Sequence, residues 1–151
     1  MLNIKITGVD KTTGRLKFKV NGSPSNSGNG GAKRNWQVHW MVASNKVLSI
    51  ADIKMKTGPG APASKDIFSE CKPARQDEHG KHWMAKVSEN APIFAEYNYD
   101  IKWVSASGVE THDPKISVMP SVSPSTKLLI AIVTFIAGCL TLRFLQKKIK
   151  R

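Results

Sequence analysis

Four histidines and two cysteines are the side chains of this 151-residue chain best suited to metal ligation, proton transfer or nucleophilic attack. His79-Gly-Lys-His82, preceded by Asp77 and Glu78, gathers imidazoles and carboxylates in a spacing that could serve a metal. The run falls in a loop, with no cysteine pair or helix to fix the ligands, so it reads as a solvated polar turn. His112-Asp113 beside a turn offers an acid/base pair of the same unsupported kind. His39 falls on the polar side of an aromatic strand and reads as a surface residue. Cys71, followed by Lys72 and close to Arg75, could carry a lowered pKa, but no base stands near it and it reads as inert. Gly28-Asn-Gly-Gly31 before Lys33-Arg34 lacks the strand-to-helix context and the Gly-Lys-Ser/Thr ending of a phosphate loop. These residues form no catalytic constellation, and neither enzyme activity, cofactor nor metal is expected of them.

The elements that must position these side chains are strands. Leu2, Ile4 and Ile6 alternate with polar residues, and after Asp10-Lys-Thr-Thr-Gly14 so do Leu16, Phe18 and Val20, which predicts a hairpin with one buried face. Residues 22–34 are rich in Gly, Ser and Asn and predict a mobile loop that packs no core. Trp36, Val38, Trp40 and Val42 predict a strand with an aromatic face. The next lies within Val47 to Lys56, with Ala51, Ile53 and Met55 inward, and Gly58-Pro-Gly-Ala-Pro62 breaks it. The stretch from Ala63 to Lys81 is polar and irregular, although Asp66 to Cys71 could form a short strand or a helical turn. Trp83, Ala85 and Val87 mark another strand, and Ile93 to Trp103 the longest. A turn at Ser107-Gly108 leads to a closing strand with Ile116 and Val118 inward. All four tryptophans fall on inward-reading positions and are expected in the core.

About seven short alternating strands predict an all-β, antiparallel sandwich. The succession Trp83-x-Ala-x-Val87, Tyr97-x-Tyr-x-Ile-x-Trp103, Gly108 and Asp113-Pro-Lys-Ile-Ser-Val118 resembles the last three strands of an immunoglobulin-like or fibronectin-like sandwich. The resemblance covers the second half of the chain and implies that Tyr97 or Tyr99 forms a tyrosine corner. The inter-sheet cysteine pair of antibody domains is absent. The resemblance implies a fold and no function.

Beyond the sandwich, assigned to residues 1–118, a Pro/Ser linker spans 119–127. Leu128 to Leu142 then reads LLIAIVTFIAGCLTL, fifteen residues without a charge. At 1.5 Å per residue this is about 22 Å, short of the roughly 30 Å hydrocarbon core, but Lys127 to Lys147 reaches it if the flanking cations snorkel. The run is apolar on every face, which argues against a surface amphipathic helix. A single transmembrane helix over 128–145 is therefore expected, followed by a basic tail over 146–151. Lys127, Arg143, Lys147, Lys148, Lys150 and Arg151 are the expected membrane-interface residues. The small-xxx-small pair Thr134 and Gly138, with Ala137 and Thr141, permits weak homo-oligomerisation through the helix.

Charge supports the same organisation. The last 26 residues hold six of the 23 basic residues and none of the 11 acidic ones, so half of the net +12 flanks the apolar run. The rest is spread without a dense basic cluster, which argues against nucleic acid as a partner. Cys139 lies inside the apolar run, leaving Cys71 without an expected intrachain partner, and the alternating N-terminus does not read as a signal peptide. Both features favour a reducing compartment for the β domain. One basic residue before the helix and five after it would place the C-terminus in the cytoplasm. Insertion as a tail anchor, with the β domain cytosolic, avoids translocating the whole domain and is preferred. The expected partners are the lipid bilayer and an unidentified protein. The function expected is a membrane-anchored interaction module, with a helix that oligomerises and permeabilises the bilayer as the alternative.

Overall fold

Alternation at the N-terminus builds a hairpin. In the computed structural model, which describes residues 1–59, 61–69 and 72–121, β1 (Leu2–Val9) and β2 (Leu16–Val20) pair antiparallel, with Ile6 opposite Phe18. Asp10 organises their turn: its carboxylate accepts the Thr12 and Thr13 N–H groups at 2.9 and 3.0 Å and lies 3.0 Å from Lys17 Nζ. Lys17 foremost, and then the two N–H groups, hold the Asp10 carboxyl well below the usual carboxylate range.

The chain continues through β3 (Ser23–Ser25), β4 (Gly30–Lys33), β5 (Gln37–Val42), β6 (Ser49–Met55), β7 (Ala74–Arg75), β8 (His82–Lys86), β9 (Glu96–Ser105), β10 (Gly108–His112) and β11 (Lys115–Met119). One six-stranded sheet has the order β3-β2-β1-β5-β8-β7. The other is built on β9, whose one edge pairs with β6 and whose other edge pairs first with β11 and then with β10. Pro114 separates β10 from β11, because it has no N–H to continue the ladder; its carbonyl instead accepts the Tyr99 N–H at 3.2 Å.

Residues 1–120 form one compact unit, in which the two sheets share a core, an arrangement compatible with a β-sandwich. Leu2, Ile4, Ile6, Val38 and Trp40 meet Ile50, Tyr97, Tyr99, Ile101, Trp103, Ile116 and Val118, all of them fully enclosed. Trp40 donates its indole N–H to the Tyr99 hydroxyl at 3.0 Å, tying the sheets together. Burial pushes both Tyr97 and Tyr99 above the usual phenol range.

Several expectations are corrected. The sheets are mixed and not purely antiparallel: β1 runs parallel to β5, and β11 parallel to β4. Eleven strands, not seven, lie among the described residues. The Gly/Ser-rich stretch supplies β3 and β4, and Ala32 within it is fully buried. A register shift between Ile50 and Asp52 breaks the alternation of β6, so Ile50 and Ile53 face inward while Ala51 is exposed. Ile67 and Phe68 are buried, with Phe68 bridging to Val87, so this segment of the irregular stretch contributes to the core. Trp36 is only half-buried, with Lys33 Nζ 5.6 Å above its ring. Ile93 lies outside β9 and is exposed.

Candidate functional site

The residues singled out for the membrane segment lie outside the described residues. These are Lys127, Arg143, Lys147, Lys148, Lys150 and Arg151 at its expected interfaces and Thr134 and Gly138 on its expected packing face; Cys71 also falls outside. Among the described residues no helix is long and apolar enough to cross a membrane.

Where the described chain ends, the domain carries an apolar rim. Phe94 is 74% exposed, and its neighbours Ile93 and Met119 are 42% and 46% exposed. Phe94 also holds φ at +64°, a left-handed conformation that is costly for a bulky side chain. Two backbone hydrogen bonds impose it: Phe94 N–H donates to the Val118 carbonyl at 2.8 Å, and Val118 N–H donates to the Ala95 carbonyl at 2.9 Å. Arg34 donates from Nε to the Ala91 carbonyl at 2.8 Å, placing a cation beside the same turn. The rim thus joins exposed aromatic and aliphatic side chains to Arg34, two residues from where the chain continues toward the apolar run.

A second cluster lies on the outer face of the six-stranded sheet. The tripeptide His-Trp-Met occurs twice, at residues 39–41 and 82–84. The structure pairs the two copies antiparallel, with His39 opposite Met84, Trp40 opposite Trp83 and Met41 opposite His82. Both tryptophans turn into the core, so both histidines and both methionines stand on the outer face, half-buried. His39 Nδ1 and His82 Nε2 approach to 2.9 Å, with the rings stacked at 5.2 Å. Gln37 Oε1 lies 3.4 Å from His39 Nε2, and the Asp77 carboxylate accepts the His82 N–H at 3.2 Å. Burial first, and then the facing His82 ring, hold the His39 imidazole below its ordinary range. Sequence reasoning joined His82 to His79 instead. His79 is exposed and lies 3.2 Å from Glu78, while His82 belongs to the strand. The repeated tripeptide was the signal that could have found the pair.

The His112-Asp113 pair lies in an open cleft of about 430 Å³, lined by Arg15, Asn26, Ser27, Thr111, His112 and Asp113. His112 Nε2 donates to the Ser27 carbonyl at 3.2 Å, and its ring packs 4.9 Å from that of Phe18. Asp113 is engaged by Lys56 Nζ at 2.9 Å, which also lies 3.5 Å from Asp100. Lys56 holds the Asp113 carboxyl below its usual range, while burial, followed by the neighbouring Asp113, raises that of Asp100. His112 and Asp113 are thus each engaged by a structural partner on the cleft wall.

Comparison with protein-family models and with curated proteins gave no match for this chain.

Proposed function

We propose that this chain is a membrane-anchored interaction module, with a β domain held at a bilayer surface by a single C-terminal helix. The observation that carries the reading is the fifteen-residue uncharged run Leu128–Leu142 with its basic flank, placed directly after an independent compact unit. The apolar rim at Ile93, Phe94 and Met119 supports it. The linker over 119–127 has nine residues and, fully extended, reaches at most about 32 Å, which keeps a bilayer entered by the run within reach of that end. In this reading the β domain is cytosolic and immunoglobulin-like, and it presents its remaining surface to a protein partner. The closing-strand pattern that resembles such sandwiches is the support for that topology; the sheets add two parallel pairings to it, β1–β5 at the centre of the six-stranded sheet and β11–β4 at an edge.

Flotation of the full-length protein with liposomes tests the anchor. Co-flotation is expected, together with its loss when Ile132 and Ile136 are both changed to Lys. Each central charge costs roughly 2.5–3.5 kcal/mol on insertion scales. Full-length protein that stays monomeric in detergent-free buffer would overturn the reading.

A further inference from the structure

The paired His-Trp-Met tripeptides place two imidazoles and two thioethers at the corners of one patch. In an antiparallel ladder directly opposite residues have Cβ atoms about 4.5–5.5 Å apart, which fits the pairs His39–Met84 and Met41–His82. The His39–His82 diagonal is closed further by the 2.9 Å approach of Nδ1 to Nε2. Among the described residues no three His, Cys, Asp or Glu side chains gather as metal ligands. What the patch adds to its two histidines is sulfur, and thioether sulfur is a soft donor that favours copper(I) over harder ions.

We propose that the outer face of the β5–β8 ladder binds one soft monovalent cation of the copper(I) class through His39 Nδ1, His82 Nε2 and the thioethers of Met41 and Met84. Two nitrogens bound at a typical imidazole–metal distance and a near-tetrahedral angle stand about 3.3 Å apart, so seating the ion opens the present gap by a few tenths of an ångström. Gln37 Oε1 accepts from His39 Nε2–H, which leaves His39 Nδ1 with a free lone pair. The hydrogen between the facing nitrogens is then carried by His82 Nε2; on metal binding it moves to His82 Nδ1, and no net proton is lost. Methionine has three rotatable side-chain bonds, so both sulfurs can swing onto the ion without moving the strands.

The surroundings discriminate by charge. In register with His39 and Met41 on β1 stand Asn3 and Lys5; on β7, Ala74 lies opposite Met84 and Arg75 opposite Trp83. The four donors are neutral and Lys5, in register with Met41, is cationic, whereas Arg75 shares the inward face of Trp83; a monovalent ion therefore adds the smallest uncompensated charge. Of the two carboxylates just before His82, Asp77 spends Oδ1 on the backbone N–H groups of Lys81 and His82, and Glu78 lies 3.2 Å from His79. The outer face of β1 shows what an ordinary solvated face of this sheet carries, namely Asn3, Lys5 and Thr7. Two methionines half-exposed beside two histidines depart from it.

The test uses the full-length chain in detergent micelles with Cys71→Ser and Cys139→Ser, since thiolates would compete for the same ion. Anaerobic titration against the copper(I)–bicinchoninate complex should show one equivalent captured per chain. Met41→Leu with Met84→Leu should weaken capture by about tenfold or more, since even groups that only orient ligands are worth that much. His39→Asn should do the same, and Met55→Leu, off the ladder, should change nothing. Near-UV circular dichroism of the buried tryptophans verifies that each variant is folded. Absence of capture, capture unchanged in the methionine pair, capture lost with Met55→Leu, or zinc(II) held as tightly as copper(I) would each overturn the proposal.

Discussion

Trp40 and Trp83 stand directly opposite each other in the β5–β8 ladder, yet only one indole has a partner. Trp40 donates to the Tyr99 hydroxyl at 3.0 Å, whereas Trp83 Nε1 is enclosed with no acceptor among the described residues. A buried donor left unpaired costs about 1–3 kcal/mol, so the same substitution should have unequal effects at the two positions. Trp40→Phe empties space in the core and orphans the Tyr99 hydroxyl, and it should cost about 2–4 kcal/mol. Trp83→Phe removes the unsatisfied group along with the lost volume and should cost less than about 1 kcal/mol. Guanidinium denaturation of residues 1–121 gives the comparison, and equal losses would contradict the hydrogen-bond assignment.

The inward faces of β1, β2, β5, β8, β9 and β11 were legible because a strand with one buried face alternates with period two, as Leu2-Ile4-Ile6 and Tyr97-Tyr99-Ile101-Trp103 do. The direction of pairing was not legible. Leu2 opposite Val38 in a parallel ladder presents the same alternation as it would in an antiparallel one. The bulge of β6 was hidden because one inserted residue shifts every later side chain to the other face. The histidine pair was hidden for a different reason: His39 and His82 are 43 residues apart, and only the ladder brings them together.

Glycine in residues 22–34 predicts mobility, yet at Gly30 it serves close approach. A Cβ there would stand 2.9 Å from Leu2 Cδ2, inside the fully buried core. Gly30→Ala should therefore destabilise the domain by about 1–3 kcal/mol through overpacking. Gly31→Ala should cost less, because the atom it meets is Cγ of the part-exposed, flexible Met119. Denaturation midpoints order the two, and a milder effect at Gly30 would refute the packing argument.

Stability should depend on the titration of His112. Its enclosure beside Phe18 disfavours the charged ring, and Arg15 adds to this; the Ser27 carbonyl and Asp113 oppose it, and the net direction is below the ordinary value of 6.5. The unfolded chain therefore takes up a proton near pH 6.5 that the folded chain does not, and stability falls as pH drops from 7 through that value. The loss levels off below the folded-state pKa. In His112→Gln the decline of melting temperature between pH 7 and 5 should be shallower. A slope identical to that of the parent would exclude His112 as its source.

Phe94 keeps a strained backbone and an exposed ring, so the domain itself gains little from it. Asparagine tolerates the left-handed region far better, and Phe94→Asn should stabilise the domain by about 1 kcal/mol. The same change should weaken association of the full-length protein with vesicles if the rim meets lipid. Destabilisation in solution would mean that the ring contributes packing that its exposure conceals.

Anchor and effector make different demands on the helix. A tether needs only length and lipophilicity, so replacing residues 128–145 by an unrelated apolar helix of equal length should preserve partner binding at the membrane. A pore-former needs a particular helix–helix face, and packing through small residues depends on close backbone approach at Gly138. Gly138→Leu should leave attachment intact, since leucine is at least as lipophilic, and would abolish leakage only where that face is used. The small-residue pattern Thr134–Gly138 is sparse and the run has no polar stripe to line a channel, so dye-loaded liposomes should remain sealed with either residue. Leakage that appears with the parent chain and disappears with Gly138→Leu would transfer the assignment from interaction module to membrane-perturbing effector.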